Sequence, residues 1–123
     1  MYTVEEYDTY LTVEFDHHPD LFEMETAIAA EFRHPHYADT NDIWIFNDNL
    51  PDVALDHFRD IGSIIRTLFP KKATHSKTAI VVSSALGMAV AEIWKTSMNL
   101  PYEIEAFTSL DSAKEWVSPE PGI

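Results

Sequence analysis

Two apolar runs, Ile43-Trp-Ile-Phe46 and Thr78-Ala-Ile-Val-Val82, constrain this chain more than any other feature. A strand with one face in water alternates apolar and polar side chains, and these two do not. Both of their faces must be covered, which is the usual condition of a strand inside a mostly parallel sheet. Parallel neighbours need a crossover connection, so helices are expected before and after each run.

The flanking segments supply those helices. Leu21, Met24, Ile28 and Phe32 recur at helical spacing until Pro35, and Pro19 suits the first turn. Leu55, Phe58, Ile61, Ile65 and Leu68 mark a second helix that ends near Pro70. Leu86, Val90, Ile93 and Trp94 put an apolar stripe on a third. Ser109 can cap a fourth, whose Leu110, Ala113, Trp116 and Val117 face inward. Tyr10-Leu-Thr-Val-Glu-Phe15 alternates with period two and pairs with the short Tyr2-Thr-Val-Glu-Glu6 as a hairpin, while Tyr102–Phe107 alternates as a last strand. The order β-β-α-β-α-β-α-β-α follows, and the class is α/β.

Composition narrows the function. The chain has 123 residues, 46% of them apolar, with 7 Phe, 5 Tyr and 3 Trp, which is enough for one packed domain. The 8 basic and 21 acidic residues give a net charge of −13, so the positive footprint of a nucleic-acid binder is missing and anionic membranes are disfavoured. No run is long enough for a membrane span, and the start lacks a basic signal-peptide region, so the expected address is the cytoplasm. Without cysteine, disulfides, thiolate metal sites and cysteine nucleophiles are excluded.

Few motifs carry chemistry. Gly62, Gly87 and Gly122 are the only glycines, so no dinucleotide fingerprint or P-loop exists and no cofactor is expected. His17-His18 and His34-x-His36 flank a helix of about fourteen residues, roughly 20 Å apart, without ligand spacing. With His57 on the second helix and His75 in a loop, they read as ordinary surface histidines, and no metal site is expected. Ser83-Ser84 follows a buried strand, but Val82 stands where a nucleophile elbow around Ser84 needs glycine. No residue is assigned a catalytic role. Ligands of parallel sheets favour the carboxyl ends of strands. Trp44, Phe46, Asn47, Asp48, Phe58, Ser83 and Ser84 are therefore the candidate ligand-binding residues.

Asn41-Asp-Ile-Trp-Ile45, Lys77-Thr-Ala-Ile-Val-Val82 and the ending Pro101-Tyr-Glu-Ile-Glu-Ala-Phe-Thr-Ser-Leu-Asp-Ser-Ala-Lys-Glu-Trp116 add a resemblance. The chain resembles the SpoIIAA-like proteins, a bacterial family whose fold is that of the STAS and CRAL-TRIO domains. The likeness is fullest from Asn41 to Val117 and topological before that. It implies a single STAS-like domain over residues 1–117, with a mixed, mostly parallel sheet of about five strands, four helices and an N-terminal β-hairpin. Residues 118–123 are expected to be a flexible tail. The slot of the STAS phosphoacceptor loop falls on Asn47-Asp-Asn-Leu-Pro-Asp52, which has no Ser or Thr. Ser83-Ser84 lies one strand later, so no phosphorylation site is expected.

The reading is a non-enzymatic cytoplasmic binding or regulatory module, taking a small, partly apolar ligand at the carboxyl edge of the sheet. The alternatives are a protein-interaction module in a signalling pathway like that of anti-sigma-factor antagonists, and a small serine hydrolase using Ser84. A homodimer is expected as well, because the Tyr2–Glu6 edge has no proline and aromatics exceed what one small core needs. Salt screens charges beyond about 8 Å, so an apolar dimer contact should tighten as salt rises. Sedimentation at two ionic strengths tests this: a monomer at micromolar concentration in both refutes it.

Overall fold

The computed structural model describes residues 1–54 and 56–118. Leu55, expected on the second helix, and residues 119–123 of the expected tail lie outside the described residues. Strand β1 (Tyr2–Glu6) pairs antiparallel with β2 (Tyr10–Phe15), Val4 opposite Val13. Helix α1 (Leu21–Phe32) starts where the Asp20 carboxylate accepts the Glu23 N–H at 2.8 Å. That makes Asp20 the N-cap and leaves Pro19 just outside the helix rather than in its first turn. A 3-10 turn (Tyr37–Asp39) leads into β3 (Asn41–Asn47), followed by α2 (His57–Leu68) and β4 (Lys77–Val82). Helix α3 (Ala85–Met98), β5 (Glu103–Phe107) and α4 (Leu110–Val117) complete the described fold.

The five strands lie side by side in sequence order, and every neighbouring pair from β2 to β5 is parallel. Successive right-handed crossovers in one direction put their helices on one face. Accordingly α1, α2 and α3 pack on the face formed by Val13, Phe15, Trp44, Phe46, Ile80 and Val82. No strand follows α4 among the described residues, and it covers the opposite face over Ile43, Ile45, Ala79 and Val81. Both runs singled out in the sequence are thus buried from two sides.

Three expectations need correction. The inward stripe of α3 is Gly87, Ala91, Trp94 and Met98, whereas Leu86 and Ile93 are exposed. Leu68 is likewise exposed at the end of α2. Trp116 is only half-buried, with its ring 5.6 Å from Phe107 and the Lys77 ammonium 5.1 Å above it. The aromatics that seemed surplus are used inside: Phe15, Tyr37, Phe46, Phe58 and Trp94 are among the largest fully buried side chains. Strand β1 is one edge of the sheet, as expected, and β5 is the other; Glu5, Glu6, Glu103 and Glu105 stand on them.

Helices α2 and α3 meet backbone to backbone at Gly62. A Cβ there would lie 2.1 Å from the Met98 carbonyl oxygen. One turn on, the Arg66 guanidinium donates to the carbonyls of Met98 and Asn99, the latter at 2.9 Å, satisfying orphan acceptors at the end of α3. Asn99 closes that helix in the left-handed region, at φ 49°. Gly62→Ala should destabilise the fold by about 1–3 kcal/mol, because it meets backbone that cannot swing aside. That exceeds the roughly 1 kcal/mol alanine gains in helix propensity. Chemical denaturation checks it, and an unchanged midpoint would mean that the two helices have slack.

Candidate functional site

The structure divides the seven candidate residues into two groups at different depths. Asn47, Asp48, Ser83 and Ser84 lie at the carboxyl ends of β3 and β4, where Asn47 adopts φ 52°, a region asparagine tolerates well. The Ser83 hydroxyl donates to the Asp48 carboxylate. Ser84 is the N-cap of α3, its oxygen accepting the Gly87 N–H at 3.0 Å. Both hydroxyls therefore have structural partners, and neither is hydrogen-bonded to a histidine among the described residues.

Trp44, Phe46 and Phe58 instead line an interior cavity of about 40 Å³ between the sheet and α1–α3. Trp94, Tyr37 and Glu31 also line it. Parallel strands and their returning helices meet so that the carboxyl ends of α1, α2 and α3 lie over the amino ends of the strands. The polar part of the cavity sits there, at the edge opposite to the one expected.

Its polar lining residues, Glu31, Tyr37, Thr78 and Tyr102, come from the end of α1, the 3-10 turn, the start of β4 and the approach to β5, and Asp42 at the start of β3 stands beside Glu31. Asp42 and Thr78 are cross-strand partners in β3 and β4. Glu31 extends the buried stripe Met24, Ala27, Ile28 of α1 and is 2% exposed. Asp42 is 1% exposed, and its two oxygens are held from different sides. Oδ2 accepts the Trp44 indole N–H at 3.0 Å, and Oδ1 accepts the Thr78 hydroxyl.

His75 is not a surface histidine but is buried behind Asp42. Its Nδ1 lies 2.6 Å from the Thr40 carbonyl oxygen, so that nitrogen carries a proton and donates. Its Nε2 faces Thr78 Oγ1 at 3.1 Å and Asp42 Oδ1 at 3.4 Å. The imidazole is stacked on Tyr37 at 4.8 Å and met edge-on by Tyr102 at 4.6 Å. The Asn41 side chain fixes the strand starts around this cluster. Its oxygen accepts the N–H groups of Ser76 and Lys77 at 2.9 and 3.0 Å, and its amide donates to the Val117 carbonyl.

Burial, then the Asp42 carboxylate beside it, pushes the Glu31 carboxyl well above the usual range and favours its acid form. Burial likewise raises the Tyr37 phenol, helped by Tyr102, Asp42 and Glu31. The Tyr102 phenol is raised by burial and then by Asp42 and Glu31. Glu31 Oε2, the Tyr37 hydroxyl and Trp94 Nε1 are buried without a conventional hydrogen bond among the described residues, the acid form of Glu31 having the Asp42 carboxylate beside it to donate to and Tyr37 having Tyr102 nearby. All three belong to residues that line the cavity. Outside it, His75, Ser76, Leu100, Pro101, Tyr102 and Glu103 line an open cleft of about 440 Å³. Leu100 and Tyr102 line both spaces.

A protein of the DUF3478 family from Shewanella loihica PV-4, uncharacterized and described as having a SpoIIAA-like fold, matches this architecture. Its crystal structure superposes with a TM-score of 0.61 over 95% of this chain and 92% of its own, at 13% identity. The chain has the SpoIIAA-like fold. No family model matches the sequence, and no curated protein matches it. Within the SpoIIAA-like frame, the Asn47–Asp52 slot is an ordered turn, with the Asn49 N–H on the Phe46 carbonyl at 2.8 Å and the Asp52 N–H on that of Pro19 at 2.8 Å. No described helix is long and apolar enough to cross a membrane. Among the described residues, no three His, Asp or Glu side chains are placed to hold a metal ion.

The sequence reading missed Glu31, Tyr37, Asp42, His75, Thr78 and Tyr102. One signal was available: Glu31 is a heptad after Met24, on the helical face that turns inward. A carboxyl with a higher pKa in the folded than in the unfolded state binds its proton more tightly when native. Its contribution to stability is complete below the unfolded value and is lost as pH rises through the folded one. The stability of the parent should therefore fall above the ordinary carboxyl range. Glu31→Gln should remove that part of the slope, at most about 1.4 kcal/mol per pH unit. Denaturation midpoints of both proteins at pH 5 and pH 8 check this, and parallel pH profiles would count against a raised Glu31.

Proposed function

We propose that the chain is a non-enzymatic binding module that holds a small, partly apolar molecule in the cavity between the sheet and α1–α3. The observation that carries this reading is that Glu31, Tyr37 and Trp94, each with a buried polar atom that makes no conventional hydrogen bond among the described residues, line one largely apolar space. Each buried polar group left unpaired costs about 1–3 kcal/mol, and native interiors rarely keep three together without something to bond. About 40 Å³ has room for roughly three waters, which gives the unliganded state its partners. A ligand would displace them and gain the apolar wall.

The outer cleft supplies a route, since it shares Leu100 and Tyr102 with the lining of the cavity. The non-enzymatic part of the reading is supported by Ser83 and Ser84, whose hydroxyls serve Asp48 and the α3 cap instead of a histidine base. Native mass spectrometry of the purified protein should find a low-mass, non-covalent adduct that is released on denaturation. Ile28→Phe, which fills the cavity, should lose the adduct while keeping its circular dichroism. An adduct equally abundant on the filled variant, or none on the parent in any preparation, would remove the reading.

A further inference from the structure

A sheet edge is where a second chain can add, because its outer backbone groups have no partner. On β5 the Glu103 N–H donates to the Ser76 carbonyl at 3.0 Å, so the backbone of Glu103, Glu105 and Phe107 faces β4. By alternation the N–H and C=O groups of Ile104 and Ala106 face outward, and no further strand pairs with them among the described residues. Beside them runs an open trough of about 360 Å³, lined from α3 by Lys95 and Asn99, from β5 by Ile104 and Glu105, and from α4 by the half-buried Trp116.

Charge decides between the two edges. No Lys or Arg precedes Arg33 in the sequence, and Glu5, Glu6, Asp8 and Glu14 crowd the β1–β2 hairpin. Two copies meeting there would set carboxylates against carboxylates. The β5 edge is balanced: Lys77 is the register partner of Glu103, and the Lys95 ammonium lies 3.3 Å from Glu105. On a chain of net charge −13, a second copy meets cations as well as acids at this edge. Lys95 comes from the three-helix side, whereas Glu105 alternates with Ile104 and Ala106 and stands on the α4 side, so the pair straps over the edge. Both partners are part-exposed, and such a pair is weak and readily exchanged.

We infer that the chain forms a two-fold homodimer through β5, the two strands pairing antiparallel so that one sheet runs through both copies. Such a contact is isologous, so the same groups serve both sides and the assembly closes at two. With Ala106 on the two-fold axis, its N–H and C=O exchange with those of the second copy, and Glu105 lies across from Phe107. No glutamate then faces a glutamate, which would be unfavourable. The contact is at the opposite edge from Tyr2–Glu6, where the missing proline pointed.

Sedimentation equilibrium of the full chain and three variants tests this. Ala106→Pro removes an N–H that no described strand uses, a change edge strands tolerate. It should keep the circular dichroism of the parent and sediment as a monomer. Lys95→Glu should weaken dimerisation at least tenfold. Glu6→Pro blocks the outer groups of β1 in the same way, since the Tyr7 N–H bonds the Tyr10 carbonyl and that of Glu6 points outward, and it should leave the dimer intact. A parent that is monomeric at micromolar concentration overturns the assignment and leaves the edge to an extended segment of another protein. A dimer unaffected by Lys95→Glu also overturns it, even if Ala106→Pro fails to fold. A dimer lost in Glu6→Pro and kept in Ala106→Pro moves the contact to β1. Species larger than a dimer that both proline variants abolish would mean head-to-tail growth from β1 to β5, and the two-fold pairing falls.

Discussion

Strands β3 and β4 must be sealed from both sides, and the sealing is unequal. Three helices lie on one face and a single short one on the other. The three-helix side holds the cavity, which is lined by the sheet and by residues of α1, α2 and α3. At the α2–α3 seam Gly62 lets the backbones touch. Towards α1 the gap is filled by rings and by the buried acids. The single-helix side, built from Ala79, Ala113, Val81 and Val117, uses small and β-branched residues and packs flat. The position of the cavity follows from this difference.

The acids at the amino edge are the costly part of the interior. A buried carboxyl is tolerated if it is neutral or fully hydrogen-bonded, and Asp42 and Glu31 divide those two solutions. Asp42 is bonded from Trp44 and Thr78, with His75 behind it. Glu31 takes the proton instead. Hydrophobic residues of the same volume would pack at least as stably, so stability alone does not account for the pair. A cluster contributed by α1, the 3-10 turn, β3 and β4 also fixes how those elements meet.

The frame of the fold was legible because its signals are local. The alternation of Tyr10–Phe15, the unbroken runs of β3 and β4, and the stops at Pro35 and Pro70 each act within a few residues. The α3 stripe was misplaced by one position because Leu86 and Ile93 advertise a face more loudly than Gly87 and Ala91, the small residues that allow close approach. The site was half legible. Trp44, Phe46 and Phe58 announce themselves as large apolar side chains on β3 and on the helix that follows it. Glu31, Asp42 and Thr78 do not, since a polar residue at an inward position looks like a surface residue until its neighbours are known. His75 lies in a connection with no periodicity at all. The rule of carboxyl-end sites points to Ser83 and Asp48, because it describes loops between strands and helices, whereas the cavity lies beneath the helices.

Unequal cover also sets an order of events during synthesis. The segments that shield one side of β3 and β4 lie between the strands in sequence, so they leave the ribosome together with them. The shield for the other side is α4, which comes after all five strands. Ile43, Ile45, Ala79 and Val81 therefore form an uncovered greasy strip on the nascent chain until Ala113 and Val117 arrive. Exposed surface of this kind is what holdase chaperones recognise and what drives early aggregation. A ribosome that stalls between Phe107 and Leu110 would release a product with a finished cavity and an unfinished back.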